Sequence, residues 1–215
     1  MHISDGVLSN PVCIGGYLVA VGVAAACIKQ KMKSEDLPKI AVITSVFFVA
    51  SLINVPLGPT SVHLILPGLV GVTLGAMAFP SVMLGLILQA LLFQHGGLTT
   101  IGANSLMMGI PALTAAFIFH QVRESNNRKL IITAGAICGA LGTMLAGIIL
   151  AVLLVTAGEN FVGVAKIALA AHVPVIIIEA VITGVAVGFL LKVKPDLIGV
   201  RLKNDSLNPS VSLNS

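Results

Sequence analysis

LIITAGAICGALGTMLAGIILAVLLVTA runs from Leu130 to Ala157 without one charged side chain. A bilayer core of ~30 Å takes ~20 apolar helical residues, so this stretch reads as a membrane-spanning helix with room to tilt. Working outward from it, six further apolar runs emerge: Val12–Ile28, Ile40–Val55, Val62–Ala78, Ser81–Phe93, Ser105–Gln121 and His172–Val193. The third and fourth meet tightly at Phe79–Pro80, and the fourth is short for a full span. Val162–Ala171 is weakly apolar and reads as a short interfacial helix or a loop. Charged residues make up only 9% of the chain. A soluble domain carries roughly 25% to keep its surface wet, so the exterior here must face lipid. The expected fold is an all-α integral membrane bundle of about seven transmembrane helices. It forms one domain over residues 1–215, with an outer N-terminal segment (1–11), the helical bundle (12–193) and a cytoplasmic tail (194–215).

The charges orient the bundle. Seven spans place the termini on opposite sides. With the N-terminus outside, Lys29, Lys31, Lys33, Lys39, Arg123, Arg128, Lys129, Lys192, Lys194, Arg201 and Lys203 all fall inside, and only Lys166 falls outside. The positive-inside rule therefore sets the N-terminus outside and the C-terminus in the cytoplasm. The net charge of +4 is an orientation signal and not a footprint for nucleic acid. Met1 to Pro11 has no Lys or Arg, so no signal-peptide cleavage is expected. His2 is too large for removal of the first Met, and the chain is expected to begin Met-His with a free amine. Cys13, Cys27 and Cys138 lie in apolar runs without CxxC spacing and are expected as buried packing thiols. Small residues recur four apart at Gly71 and Gly75, Gly135 and Gly139, and Gly184 and Gly188, and Ala20, Ala24, Ala25 and Ala26 form a smooth stripe. Such faces bring helix backbones close in lipid. They are expected mainly to pack within the chain, with Ala20–Ala26 the first choice for a partner's contact surface.

This topology sorts the five histidines. His2, His63, His95 and His172 fall at the outer side, and His120 near the inner face, without an expected metal role. The residue-2 amide nitrogen closes a five-membered chelate ring with the terminal amine and a six-membered ring with Nδ1 of His2. Three nearly coplanar nitrogens thus come from two residues, leaving one corner of a square for a second imidazole. Square nitrogen sites favour Ni(II) or Cu(II), and low-spin Co(II), over Zn(II).

Met-His-Ile-Ser-Asp-Gly (1–6), Gly58-Pro-Thr-Ser-Val-His63, Gln94-His-Gly-Gly-Leu-Thr-Thr-Ile-Gly-Ala-Asn104 and His172-Val-Pro with Ile178-Glu179 follow one another in this order. Together they resemble the cobalt/nickel substrate-binding components of energy-coupling-factor transporters, the CbiM/NikM family, over nearly the whole chain. The resemblance implies a seven-helix bundle whose N-terminal segment tucks into the outer face. It implies a cargo ion, Co²⁺ or Ni²⁺, held by Met1, His2 and His63. The His-Gly-Gly-Leu-Thr-Thr loop is more similar to cobalt members. Thr60, Ser61, Gln94, His95, Asn104, His172 and Glu179 are candidates to orient the ligands or to line the ion's way in, and Asp5 and Gly6 to shape the turn. His172 and Glu179 share a helix face, and an ionisable group inside a span is functional by default. Glu179 also reads as a carboxyl tying two helices together.

No Gly-x4-Gly-Lys-Ser/Thr loop occurs, so ATP phosphates are not cradled here in the P-loop manner. The resemblance assigns ATP hydrolysis to two ATPase subunits, working with a transmembrane coupling subunit and often a small accessory membrane protein. The expected function is a non-enzymatic metal-capture subunit of an ATP-driven uptake system in the prokaryotic plasma membrane. A self-sufficient proton-coupled transporter or channel using His172 and Glu179 is the alternative. An intramembrane enzyme ranks last, because no HExxH and no persuasive nucleophile–base pair occurs.

Overall fold

The structure, a computed structural model, describes residues 2–29, 34–52, 54–57 and 60–200. In order these form α1 (Asn10–Ile28), α2 (Leu37–Leu52), β1 (Asn54–Leu57), β2 (Thr60–His63), α3 (Pro67–Leu74), α4 (Ala78–Phe93), α5 (Ile101–Val122), α6 (Arg128–Ala157) and α7 (Val162–Val193). Short 3-10 turns precede α2, join α3 to α4, lead into α7 and follow it. Five stretches are long and apolar enough to cross a membrane: Asn10–Ile28, Pro67–Phe93, Ile101–Val122, Arg128–Ala157 and Glu159–Val193. Their outer faces are apolar, with Leu18, Phe117, Val185 and Phe189 among the most exposed side chains. This is the inversion a lipid-facing bundle requires, because lipid does not penalise exposed Leu or Phe.

The structure corrects several expectations from the sequence. The run Val62–Ala78 is not one span. Its first residues belong to an antiparallel hairpin in which Asn54 pairs with His63 and Leu57 with Thr60. Its helical part, α3, has 8 residues, or ~12 Å at 1.5 Å per residue, less than half of a bilayer core. Composition could not reveal this, because a buried half-helix and a full span are equally apolar. Residues 162–171 are neither a loop nor a separate interfacial helix. They are the opening turns of α7, so His172 sits well inside that helix and not at its start. Beyond α7, Ile198 and Val200 are buried against α5, α6 and α7. Arg201–Ser215 lie outside the described residues.

Interhelical packing follows the small residues. A methyl on Gly68 would fall inside the backbone of Gly139, and one on Gly102 inside that of Gly16 and Tyr17, so α3 crosses α6 and α5 crosses α1 at backbone contact. Gly135 faces Val187, Gly139 faces Glu179 and Thr183, Gly184 faces Ala136, and Gly71 meets Ala112. These glycines serve internal packing, as expected. The α1 stripe divides: Ala20 and Ala24 point inward, while Ala25 and Ala26 are exposed. All three cysteines are buried thiols.

Candidate metal centre

α3 is enclosed on almost every side, with Pro67, Gly68 and Val70 to Leu74 buried. It descends from the β hairpin to Gly75, and α4 returns to Gln94, where a left-handed residue (φ 54°) turns the chain. The N-terminal segment enters the mouth formed by the start of α3, the end of α4 and the start of α5.

That segment is held by backbone recognition. The Ile3 N–H donates to Asn104 Oδ1 at 2.9 Å. Its carbonyl accepts from Asn104 Nδ2 at 3.1 Å and from Thr100 Oγ1 at 2.6 Å. Two residues on, the Asp5 carboxylate accepts from Leu98 N at 3.1 Å, Thr99 N at 2.8 Å and the Thr99 hydroxyl at 2.5 Å. The Thr99 hydroxyl, foremost, holds the Asp5 carboxyl below its ordinary value, with the two amides helping and partial burial opposing. Gly97 leaves room for this carboxylate, since a Cβ there would strike it. Asp5 therefore shapes the turn, as expected, and also clasps it to the α4–α5 loop.

Between these two anchors and the hairpin lie two buried imidazoles. His2 and His63 are each 4% exposed. Their rings stack at 4.8 Å between centroids, and His63 Nε2 stands 3.1 Å from His2 Nδ1. The outer nitrogens define the tautomers. His2 Nε2 lies 2.7 Å from Gln89 Oε1, which only accepts, so the His2 proton sits on Nε2. Gln89 is fixed in that sense because its amide nitrogen donates to the Ser51 hydroxyl. His63 Nδ1 lies 2.7 Å from the Leu64 carbonyl, so the His63 proton sits on Nδ1. The two inner nitrogens, His2 Nδ1 and His63 Nε2, face each other across that short gap. Burial, above all, holds both imidazoles well below the ordinary histidine value of 6.5. They are neutral at pH 7, the state in which a ring can ligate a metal.

The remaining candidates divide. Asn104 lies in the site. His95 is half-buried beside it, its ring parallel to His2 at 6.1 Å. Gln94 is exposed, and Gln89, one helical turn earlier, supplies the amide that orients His2. The sequence signal for Gln89 was its position as a lone amide in the run Ser81–Phe93. Met1 lies outside the described residues, and Thr60 and Ser61 are placed only as backbone of β2. His172 is buried apart, its Nδ1 donating to the Ala168 carbonyl at 2.5 Å. Glu179 Oε1 accepts from Ile65 N at 2.6 Å and Leu66 N at 2.8 Å, at the start of α3. His120 lines a polar cavity of ≈ 250 Å³ shared with Asp36, Lys39, Arg123, Asp196 and the residues that end α3. Among the described residues no group of three or more His, Cys, Asp and Glu side chains forms a metal cage.

The profile of the family described as CbiM, "Cobalt uptake substrate-specific transmembrane region", matches residues 2–197. The chain belongs to the CbiM family. Like other CbiM proteins it is a multi-pass membrane protein of cobalt or nickel transport. It is 31% identical over 228 residues to the cobalt transport protein CbiM of Sorangium cellulosum, covering 99% of this chain and 100% of that one. It is 32% identical over 144 residues to the fused nickel transport protein NikMN of Rhodobacter capsulatus, covering 63% of this chain and 42% of that protein. A crystal structure of a transition metal transporter superposes with a TM-score of 0.75 at 30% identity, over 90% of this chain and 93% of that one.

Proposed function

We propose that this chain is the metal-capture subunit of an ATP-driven Co²⁺ or Ni²⁺ uptake system. The cargo is bound by the terminal amine of Met1, the amide nitrogen and Nδ1 of His2, and Nε2 of His63. The observation that carries the reading is the buried imidazole pair, His63 Nε2 lying 3.1 Å from His2 Nδ1 while the outer nitrogen of each ring is engaged by an acceptor. Adjacent corners of a square with metal–nitrogen bonds of ~2.0 Å are ~2.8 Å apart. In the proposed chelate the His2 amide sits between the amine and Nδ1, so His63 occupies the corner opposite the amide and next to Nδ1. The observed spacing suits that arrangement with a small adjustment. The Gln89 and Leu64 acceptors supply the outer hydrogen bonds that fix ligand rings and raise their basicity.

The bundle is oriented with the histidine end outside and the basic end, with the Asp36–Arg123–Asp196 cavity, in the cytoplasm. Two observations support partner-driven transport: the chain has no P-loop, and a relative is built as a fused transport protein. The partners are a membrane coupling subunit, two ATPase subunits and a small accessory membrane protein. No hydrogen bond joins His172 to Glu179; the bonds of His172 Nδ1 and Glu179 Oε1 go to backbone groups instead. This argues against the relay that a proton-coupled carrier would need.

The test is Ni²⁺ and Co²⁺ titration, singly and in competition, of the purified chain in detergent. His63→Ala should lower affinity at least tenfold. One residue added before Met1 and left uncleaved should abolish the square-planar Ni(II) absorption band. Full affinity in the extended form refutes the site.

A further inference from the structure

Glu179 is fully buried in α7, yet its carboxylate serves neither α7 nor the neighbouring α6 backbone. Oε1 takes both the Ile65 and Leu66 amides, the two donors left over where the chain passes from β2 into α3. Leu66 is one of only two non-glycine residues with positive φ among those described (φ 52°). A left-handed residue here aims successive N–H groups into one concavity, which suits an anionic oxygen. The positive end of α3 adds to that attraction. Such a backbone is strained and persists only when its surroundings over-determine it.

The clamp is rigidly mounted. At Gly139 of α6 three backbones converge: Gly68 of α3 on one side, the Glu179 carbonyl and Thr183 of α7 on the other. No side chain lies between Gly68 and Gly139, and Gly139 rests against the Glu179 carbonyl and the Thr183 side chain, so Glu179 sits at a set height relative to Leu66. The segment it pins begins directly after His63. The Leu64 carbonyl belongs to the same turn and accepts the His63 Nδ1 proton. A shift in the Ile65–Leu66 peptides moves that carbonyl, and with it the tautomer and aim of the ring.

We propose that Glu179 is a positioning residue for His63: through one oxygen, α7 sets the β2–α3 turn that presents the His63 imidazole to the ion. This rests on the metal site proposed above. It also gives α7 a mechanical connection to the site, since any displacement of α7 against α3 withdraws the clamp.

The experiment uses the full chain in lipid nanodiscs, with Cu²⁺ alone as an electron paramagnetic resonance probe of nitrogen count and Ni²⁺ alone for affinity. Unfolding midpoints are measured alongside, so that comparisons are made on folded protein. His63→Ala should change a four-nitrogen Cu²⁺ spectrum to a three-nitrogen one. Glu179→Asp keeps the carboxylate but draws it back by one methylene; it should also give three nitrogens and a Ni²⁺ affinity 10- to 100-fold lower. Glu179→Gln keeps an acceptor oxygen at the same reach and should retain four nitrogens. A four-nitrogen spectrum in Glu179→Asp, or a three-nitrogen spectrum in Glu179→Gln, overturns the proposal. If His63→Ala itself keeps four nitrogens, it is the proposed metal site that fails, and the two failures are thereby distinguished.

Discussion

At the scale of single residues, the proposed site would depend on groups that do not touch the ion. Gln89 accepts the His2 proton, and Ser51 holds Gln89 the right way round. Gln89→Leu keeps the volume of the side chain but frees the ring to change tautomer. Ni²⁺ affinity should fall ~10- to 100-fold, measured by competition with a chelator, with little change in the unfolding midpoint. Asp5 acts at the other edge. Its carboxyl lies below the ordinary value because the Thr99 hydroxyl and two amides stabilise the anion. The folded form thus holds its proton less tightly than the unfolded form. The clasp is at full strength above the unfolded value of ~3.9 and is lost only as pH falls through the lower folded value. Amide exchange at Leu98 and Thr99, corrected for intrinsic rates, should therefore show constant protection from pH 8 to pH 5. In Asp5→Ala that protection should be missing at every pH. Sequence reading reached His2, His63 and Asn104 because motif and chemistry coincide there. It named Gln94 and missed Gln89, since choosing between two amides requires the phase of α4 and the left-handed turn that ends it.

At the scale of elements, the crossings are set where side chains are absent. Gly68 lies on Gly139 with nothing between, whereas Gly15 on α1 faces open space. Gly68→Ala should destabilise the folded chain by about 1–3 kcal/mol or more, because backbone on both sides must give way. Gly15→Ala should be neutral, or stabilising by up to about 1 kcal/mol from helix propensity. Thermal unfolding in a single detergent checks both. The glycine spacing was readable in the sequence, and so were α1, α5 and α6, whose charge-free runs border basic residues at one end. The half-length of α3 was not. Hydrophobicity reports that a segment is buried, and it does so equally for a span in lipid and for a short helix enclosed by protein. The Pro, Gly, Thr and Ser residues of 54–63 marked a break between apolar runs, which reads equally as a loop or as the hairpin β1–β2.

At the scale of the whole molecule, one end gathers histidines, amides and hydroxyls, and the other gathers Lys39, Arg123, Arg128 and Lys192. The orientation proposed from the positive-inside count predicts the outcome of labelling with a membrane-impermeant maleimide. Asn160→Cys should react in intact cells, and Asn126→Cys only after permeabilisation. The three native thiols are buried, so background should be low. Reversed labelling would turn the bundle over and place the capture site on the wrong side for uptake.

The clamp and the clasps have a consequence for synthesis. The first residues to leave the ribosome are held by Gln89, Thr100 and Asn104, and the turn after His63 waits for Glu179. The earliest-made segment therefore waits for α4 and α5. Until α7 has emerged, the turn after His63 lacks the oxygen that takes its two amides. On the proposed site, a protein truncated before α7 would lack this clamp and should compete poorly with its finished counterparts for scarce metal.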